Sequence, residues 1–210
     1  TKVHIETRRH ADNHRHILLI GHAGHPEVEG TMGQVNPDEV TLIETVDDAR
    51  HVTPPKGADL AFATQTTLSV DDTAEIISVL QFRFPDISGP RGEDICYATT
   101  NRQKAVKDIA GAVDLMLVIG AENSSNSKRL VEVAKLAGAN AAFLIADKDA
   151  IDWSLIDEAD HIGLSAGASA PETLVEDVVA ALRQRYQVDV SEHGKIRETV
   201  NFKLPAIIAS

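Results

Sequence analysis

The chain has 210 residues, and its 20 Lys and Arg face 32 Asp and Glu, for a formal charge of −12. That balance excludes a general nucleic-acid binder, which needs clustered Lys and Arg to meet phosphate backbones. A hydrophobic fraction of 43% supports a folded core, no apolar run reaches the roughly 18 residues of a membrane-spanning helix, and a single cysteine excludes an internal disulfide framework. The expected setting is the cytoplasm, with no membrane or nucleic-acid partner.

The sequence opens at Thr1, without Met, in helix-like material, so a missing N-terminal part is expected. His10, His14 and His16 fall at the polar end of this first helix and read as solvated. From there one unit recurs: a short aliphatic run, a polar cluster of small residues, then an amphipathic stretch. The aliphatic runs are 17–20, 40–43, 60–63, 115–119, 142–145 and 162–164. They are too continuous for sheets with a wet face, so parallel strands covered on both sides are expected. Ile76, Ile77, Leu80 and Phe84 share one helical face, Ala105, Val106 and Ile109 another, and Leu174, Val175, Val178 and Leu182 a third. Two prolines and two glycines between Phe84 and Gly92 break both helix and strand. The expected organisation is therefore α/β, with two similar open, mostly parallel domains at 1–90 and 91–210.

Polar clusters follow the strands, where the ligand crevice of an open α/β sheet lies. Gly21 to Thr31 follows the first run and Thr64 to Ser69 the third; Gly120 to Ser127 and Ser165 to Pro171 follow later ones. Ser124, Ser125, Asn126 and Ser169 are hydroxyl and amide groups expected at helix starts, beside free backbone N–H donors, and together form an anion receptor without a basic side chain. Taken singly, each is also an ordinary helix cap. His25 and Glu27, separated by Pro26, suit a loop or helix start from which both reach one cavity, and an imidazole and a carboxylate can pass a proton. A surface His–Glu pair remains the alternative. Thr66 can complete such a relay, since its hydroxyl both donates and accepts. Cys96 stands just ahead of a helix start, where the dipole favours thiolate; the alternative is a small buried hydrophobe. One thiolate builds no metal site by itself.

The runs Ile20 to Gln34, Thr64 to Ser69, Asp94 to Gln103, Asn123 to Ser127 and Ala166 to Pro171, in this order, closely resemble the 4-hydroxy-3-methylbut-2-enyl diphosphate reductase family of non-mevalonate isoprenoid biosynthesis. The resemblance implies a fold of three similar α/β domains around a 4Fe-4S cluster, each domain giving one cysteine. Cys96 would be the third cluster ligand. Glu27 would donate a proton, acting with Thr66 and His25, while Ser124, Ser125, Asn126 and Ser169, helped by His25, would hold the diphosphate. It further implies reductive dehydroxylation of an allylic diphosphate with electrons from a ferredoxin or flavodoxin. The family's N-terminal domain, with its two cysteines, is absent from these 210 residues. This chain alone is therefore expected not to hold the cluster stably, and the alternative is a truncated, cluster-free module that binds a diphosphate without turnover. A cysteine-nucleophile transferase built on Cys96, with His25 as base, is a further alternative.

Overall fold

A computed structural model describes residues 2–90 and 95–193. The run His16–Ile20 is buried along its whole length as β1, and Leu115–Ile119 likewise as β4. Neither strand has a polar residue to face water after its first position, so each can only sit at the centre of a sheet covered on both sides. β1 pairs in parallel with β2 (Val40–Ile43) and β3 (Leu60–Thr64), and β4 with β5 (Ala141–Ile145) and β6 (Ile162–Ala166). The result is two three-stranded sheets, ordered β2-β1-β3 and β5-β4-β6.

Helices cover both faces of each sheet in the same order. Around the first run α1 (Lys2–Asp12), α2 (Pro26–Met32), α3 (Val46–His51) and α4 (Val70–Arg83); around the second, α5 (Tyr97–Ala110), α6 (Ser125–Leu136), α7 (Trp153–Asp157) and α8 (Glu172–Arg185). Alternation along β1 sends Ile17 and Leu19 towards Val3 of α1 and Val28 of α2, and Leu18 and Ile20 towards Ala49 of α3 and Ile76 and Leu80 of α4. In β4, Met116 and Val118 pack on Val106, Leu130 and Val133 of α5 and α6, while Leu117 and Ile119 pack on Ile156, Val178 and Leu182 of α7 and α8. Each such side chain removed from water contributes about 1.5–3 kcal/mol.

Two expectations change. His10 and His16 are buried, and only His14 is exposed. His16 is the first residue of β1, where its ring meets the Asp38 carbonyl at 3.1 Å and the Thr41 hydroxyl at 2.8 Å; these bonds offset its burial. His10 lies on the sheet-facing side of α1, with Nδ1 3.4 Å from Arg15. The second change concerns Ser169, which is exposed in a turn closed by the Ala170 N–H on the Gly167 carbonyl. It precedes the α8 N-cap, Pro171, rather than opening the helix. Residues 91 and 92 of the segment expected to separate domains, and the strand-like stretch Val200 to Leu204, lie outside the described residues.

Candidate functional site

The carboxyl ends of β1, β3 and β4 carry most of the residues singled out above. After Gly21 the chain turns through His22-Ala23-Gly24-His25, closed by the His25 N–H on the His22 carbonyl at 3.2 Å. Gly24 takes φ of 74°, a value that favours glycine at the third position of such a turn. The turn delivers His25 to the N-cap of α2, with Pro26 opening the helix and Glu27 next. The His25 Nδ1 accepts the Glu27 N–H at 3.2 Å, so a neutral ring carries its proton on Nε2. That Nε2 lies 2.7 Å from the Ser125 Oγ, and it donates to it.

Glu27 is half-buried, and its Oε2 accepts both the N–H of Thr66 at 3.1 Å and its hydroxyl at 3.0 Å. A carboxylate held by two donors from one residue has a fixed direction, and the hydroxyl beside it gives a path for a proton. The Thr66 carbonyl in turn accepts the N–H of Cys96 at 3.2 Å. Cys96 is exposed and is the N-cap of α5, so its sulfur stands at the positive end of that helix. His25, Glu27, Thr66, Cys96 and Ser125 thus form one connected chain of contacts.

On the opposite side, Ser124 caps α6 and accepts the Ser127 N–H. Asn126, in the first turn, is buried, and neither its Oδ1 nor its Nδ2 has a hydrogen-bond partner. A buried amide left so costs about 1–3 kcal/mol for each group, so the site stores a demand for a polar ligand at a helix N-terminus. The start of α6 can come this close because Gly120 and Gly167 have no side chain: a Cβ on either would collide with the Ser127 side chain. Ser169 is exposed near the same strand ends but joins none of these contacts.

Several neighbours escaped the sequence reading. Buried Gln65 accepts the His22 N–H at 3.1 Å and donates to Thr67, bracing the turn from below. Gln103 of α5, also buried, donates to the Leu68 carbonyl at 2.8 Å and accepts the Val70 N–H at 3.0 Å, which fixes the Thr66 loop against the helix that Cys96 caps. Arg129, one turn beyond Ser125, donates to His22 at 3.0 Å, so the region is not without a basic side chain. Its spacing of four from Ser125 was the available signal. Among the described residues no group of three or more His, Cys, Asp or Glu could hold a metal ion. No helix among them is long and apolar enough to cross a membrane.

A family model described as LytB protein matches residues 1–183. A 4-hydroxy-3-methylbut-2-enyl diphosphate reductase of Hyphomonas neptunium is 59% identical over 209 residues, covering 100% of this chain and 66% of that protein. The enzyme of the same name from Gluconobacter oxydans is 54% identical over 213 residues, covering 100% of this chain and 63% of its own. The solved structure of the E-1-hydroxy-2-methyl-but-2-enyl-4-diphosphate reductase from Plasmodium falciparum superposes with a TM-score of 0.91 at 33% identity, over 98% of this chain and 65% of that one. The chain therefore spans about two thirds of the length of the curated relatives it matches, 63–66% in these two.

Proposed function

The chain belongs to the LytB protein family, and from that premise we propose that it supplies the proton-delivering and diphosphate-holding sides of a 4-hydroxy-3-methylbut-2-enyl diphosphate reductase in the cytoplasm. In that reaction the allylic C–O bond of the substrate's hydroxyl group breaks. Two electrons enter from a ferredoxin- or flavodoxin-type donor together with two protons, water leaves, and isopentenyl or dimethylallyl diphosphate forms. Glu27 delivers a proton to the departing oxygen, with the Thr66 hydroxyl holding the carboxyl in place. Ser124, Ser125, Asn126 and Ser169 bind the diphosphate, and His25 helps from the facing loop. The residues 1–90 and 91–210 act as two domains that meet across this substrate.

A 4Fe-4S cluster is the cofactor this reading implies. Among the described residues Cys96 offers one thiolate, and one thiolate does not hold such a cluster. Those residues do not fit the whole group. The same fact favours a second reading for these 210 residues by themselves, a diphosphate-binding module without turnover.

The observation that carries the proposal is Asn126: a buried amide with both polar atoms unpartnered, at a helix start, beside the Ser125–His25 contact. Titration of the chain with inorganic pyrophosphate by calorimetry tests it. Binding that weakens in an Asn126→Ala, Ser169→Ala double variant is expected, each lost hydrogen bond to a charged group costing about 1.5–3 kcal/mol. Equal binding in the two proteins removes these residues from the site.

A further inference from the structure

The contact between the two sheets' strand ends is a ladder of two rungs. His22 and His25 stand at either end of one tight turn, and Ser125 and Arg129 lie four residues apart on one face of α6. The first rung joins His25 Nε2 to Ser125 Oγ at 2.7 Å, the second Arg129 Nη2 to His22 Nε2 at 3.0 Å. A guanidinium can only donate, so His22 accepts on Nε2 and keeps its own proton on Nδ1, the reverse of His25. The other arm of Arg129 is held as well: Nη1 lies 2.6 Å from Glu132 on α6 and 3.8 Å from Asp72 in the first turn of α4. Its side chain is 17% exposed, against 62% for Asp72 and 54% for Glu132. The arginine is therefore sunk between α6, α4 and the His22 turn, and its charge is spent on carboxylates at its rim.

We propose that Arg129 is a positioning residue: through His22 and Asp72 it sets the distance between the first turn of α6 and the His25 loop, and so holds the His25–Ser125 rung closed over Asn126. This rests on the reading of Ser124 to Asn126 as the diphosphate site for its consequence, though not for the geometry. A residue that merely filled space would leave the hydrogen bond between His25 and Ser125, which stands four residues from Arg129 on α6, unaltered. An anion ligand would also leave it unaltered, and would act through its charge.

Imidazole ¹⁵N resonances of the 210-residue chain distinguish these roles. At pH 8, above the ordinary imidazole pKa of about 6.5, His25 should show the Nε2–H tautomer and His22 the Nδ1–H tautomer. In Arg129→Ala the His22 ring should move towards the mixture of a free ring, and the His25 Nε2 resonance should shift to that of a ring without the Ser125 bond while the Glu27 N–H still holds its Nδ1; His16, bonded to Thr41 and Asp38 elsewhere, should stay fixed. Pyrophosphate should then bind about tenfold more weakly, and Arg129→Lys, which can still reach Asp72 or His22, should recover part of both effects. A folded Arg129→Ala with unchanged His25 resonances overturns the proposal. So does weaker pyrophosphate binding with His25 unchanged, since that identifies Arg129 as a direct anion ligand. Should Arg129→Ala fail to fold, His22→Ala on the exposed turn removes the same rung, and the His25 Nε2 resonance must again shift as the Ser125 bond opens or the proposal fails. Failure of the unmodified chain to bind pyrophosphate would reject the diphosphate reading, while the His25 resonances would still decide the role of Arg129.

Discussion

The two halves of the chain are built alike and differ in chemistry at matching positions. Gly21 follows β1 and donates its N–H to the Ile43 carbonyl, a bond that Gly120, following β4, repeats with Ile145. A turn follows each, and each places a cap on the next helix: His25 on α2, Ser124 on α6. Two residues later stand Glu27, bonded to Thr66, and Asn126, buried with both polar atoms unpartnered. Gln65 after β3 and Gly167 after β6 each donate to the last residue of the central strand, Ile20 and Ile119, at 2.8 Å. The backbone fixes where a side chain arrives; its identity decides whether that place moves a proton or holds an anion. On the proposed reading, an imidazole and a carboxylate make the first half a proton-transfer arm, and hydroxyls with an amide make the second an anion cradle.

The largest effect should come from the half proposed to handle the proton. In a chimera that joins this chain to the part of the Hyphomonas neptunium relative it does not span, Glu27→Gln should keep pyrophosphate binding and lower turnover by about 10²–10⁴-fold, the usual worth of general acid catalysis. Glutamine keeps the shape and can still accept the Thr66 N–H, but it has no proton to give. A loss of less than about tenfold in steady-state turnover would make Glu27 a positioning group only.

Giving the second half the charge of the first should break the comparison from the other side. Asn126→Asp places a carboxylate at the position that corresponds to Glu27, where it would face the anion. Like charges set against each other cost several kcal/mol, so pyrophosphate affinity should drop about a hundredfold or more by calorimetry. Unaltered affinity would show that the anion sits elsewhere.

The shared architecture was legible in the sequence because it rests on hydrophobic continuity. All six aliphatic runs coincide with strands, and the helical faces through Ile76 and Leu80, Val106, and Val178 and Leu182 pack on them. The short helices α3 and α7 were not legible; α3 depends on a capping box between Thr45 and Asp48, and α7 on Asp152 accepting the Ser154 N–H, which leave little periodic pattern. At the junction, the sequence pointed to His25, Glu27, Thr66 and Ser125, which the structure joins by hydrogen bonds. It could not pair Arg129 or Gln103 with their partners, which lie 107 and 33–35 residues away. It misplaced Ser169, because a Ser ahead of a proline resembles a helix cap in either of two positions.

A smaller effect is expected at the glycines that let each following helix approach its strand. A Cβ at Gly21 would collide with Val28, and one at Gly120 with Ser127. Overpacking of this kind costs about 1–3 kcal/mol. Both Gly21→Ala and Gly120→Ala should therefore lower the midpoint of urea unfolding. Only Gly120→Ala, which disturbs the cradle, should also weaken pyrophosphate binding; equal losses of affinity from the two would show that the halves are not separable in this way.

The smallest effect contrasts a buried histidine with an aliphatic residue at the matching place. His10 lies six residues before the first residue of β1, and Ile109 six before that of β4, where it packs against the Val106 and Met116 core. Burial, then the nearby charges of Arg9 and Arg15, hold the His10 imidazole below its ordinary pKa, with Glu6 opposing them weakly. The unfolded chain, with an ordinary imidazole near 6.5, therefore takes up a proton at a higher pH than the folded one. Stability contributed by neutral His10 is present above about pH 6.5 and is lost as pH falls from there through the depressed folded value. One such group changes stability by at most about 1.4 kcal/mol per pH unit. The carboxyl of Asp48, held low by the Thr45 hydroxyl and N–H, adds its own loss only below the ordinary carboxylate range, so the two windows do not overlap near pH 6. His10→Ile, which copies the second half into the first, should flatten urea-unfolding free energy between about pH 6.5 and 5. A slope that persists unchanged in His10→Ile would assign the acid sensitivity to a group other than this histidine.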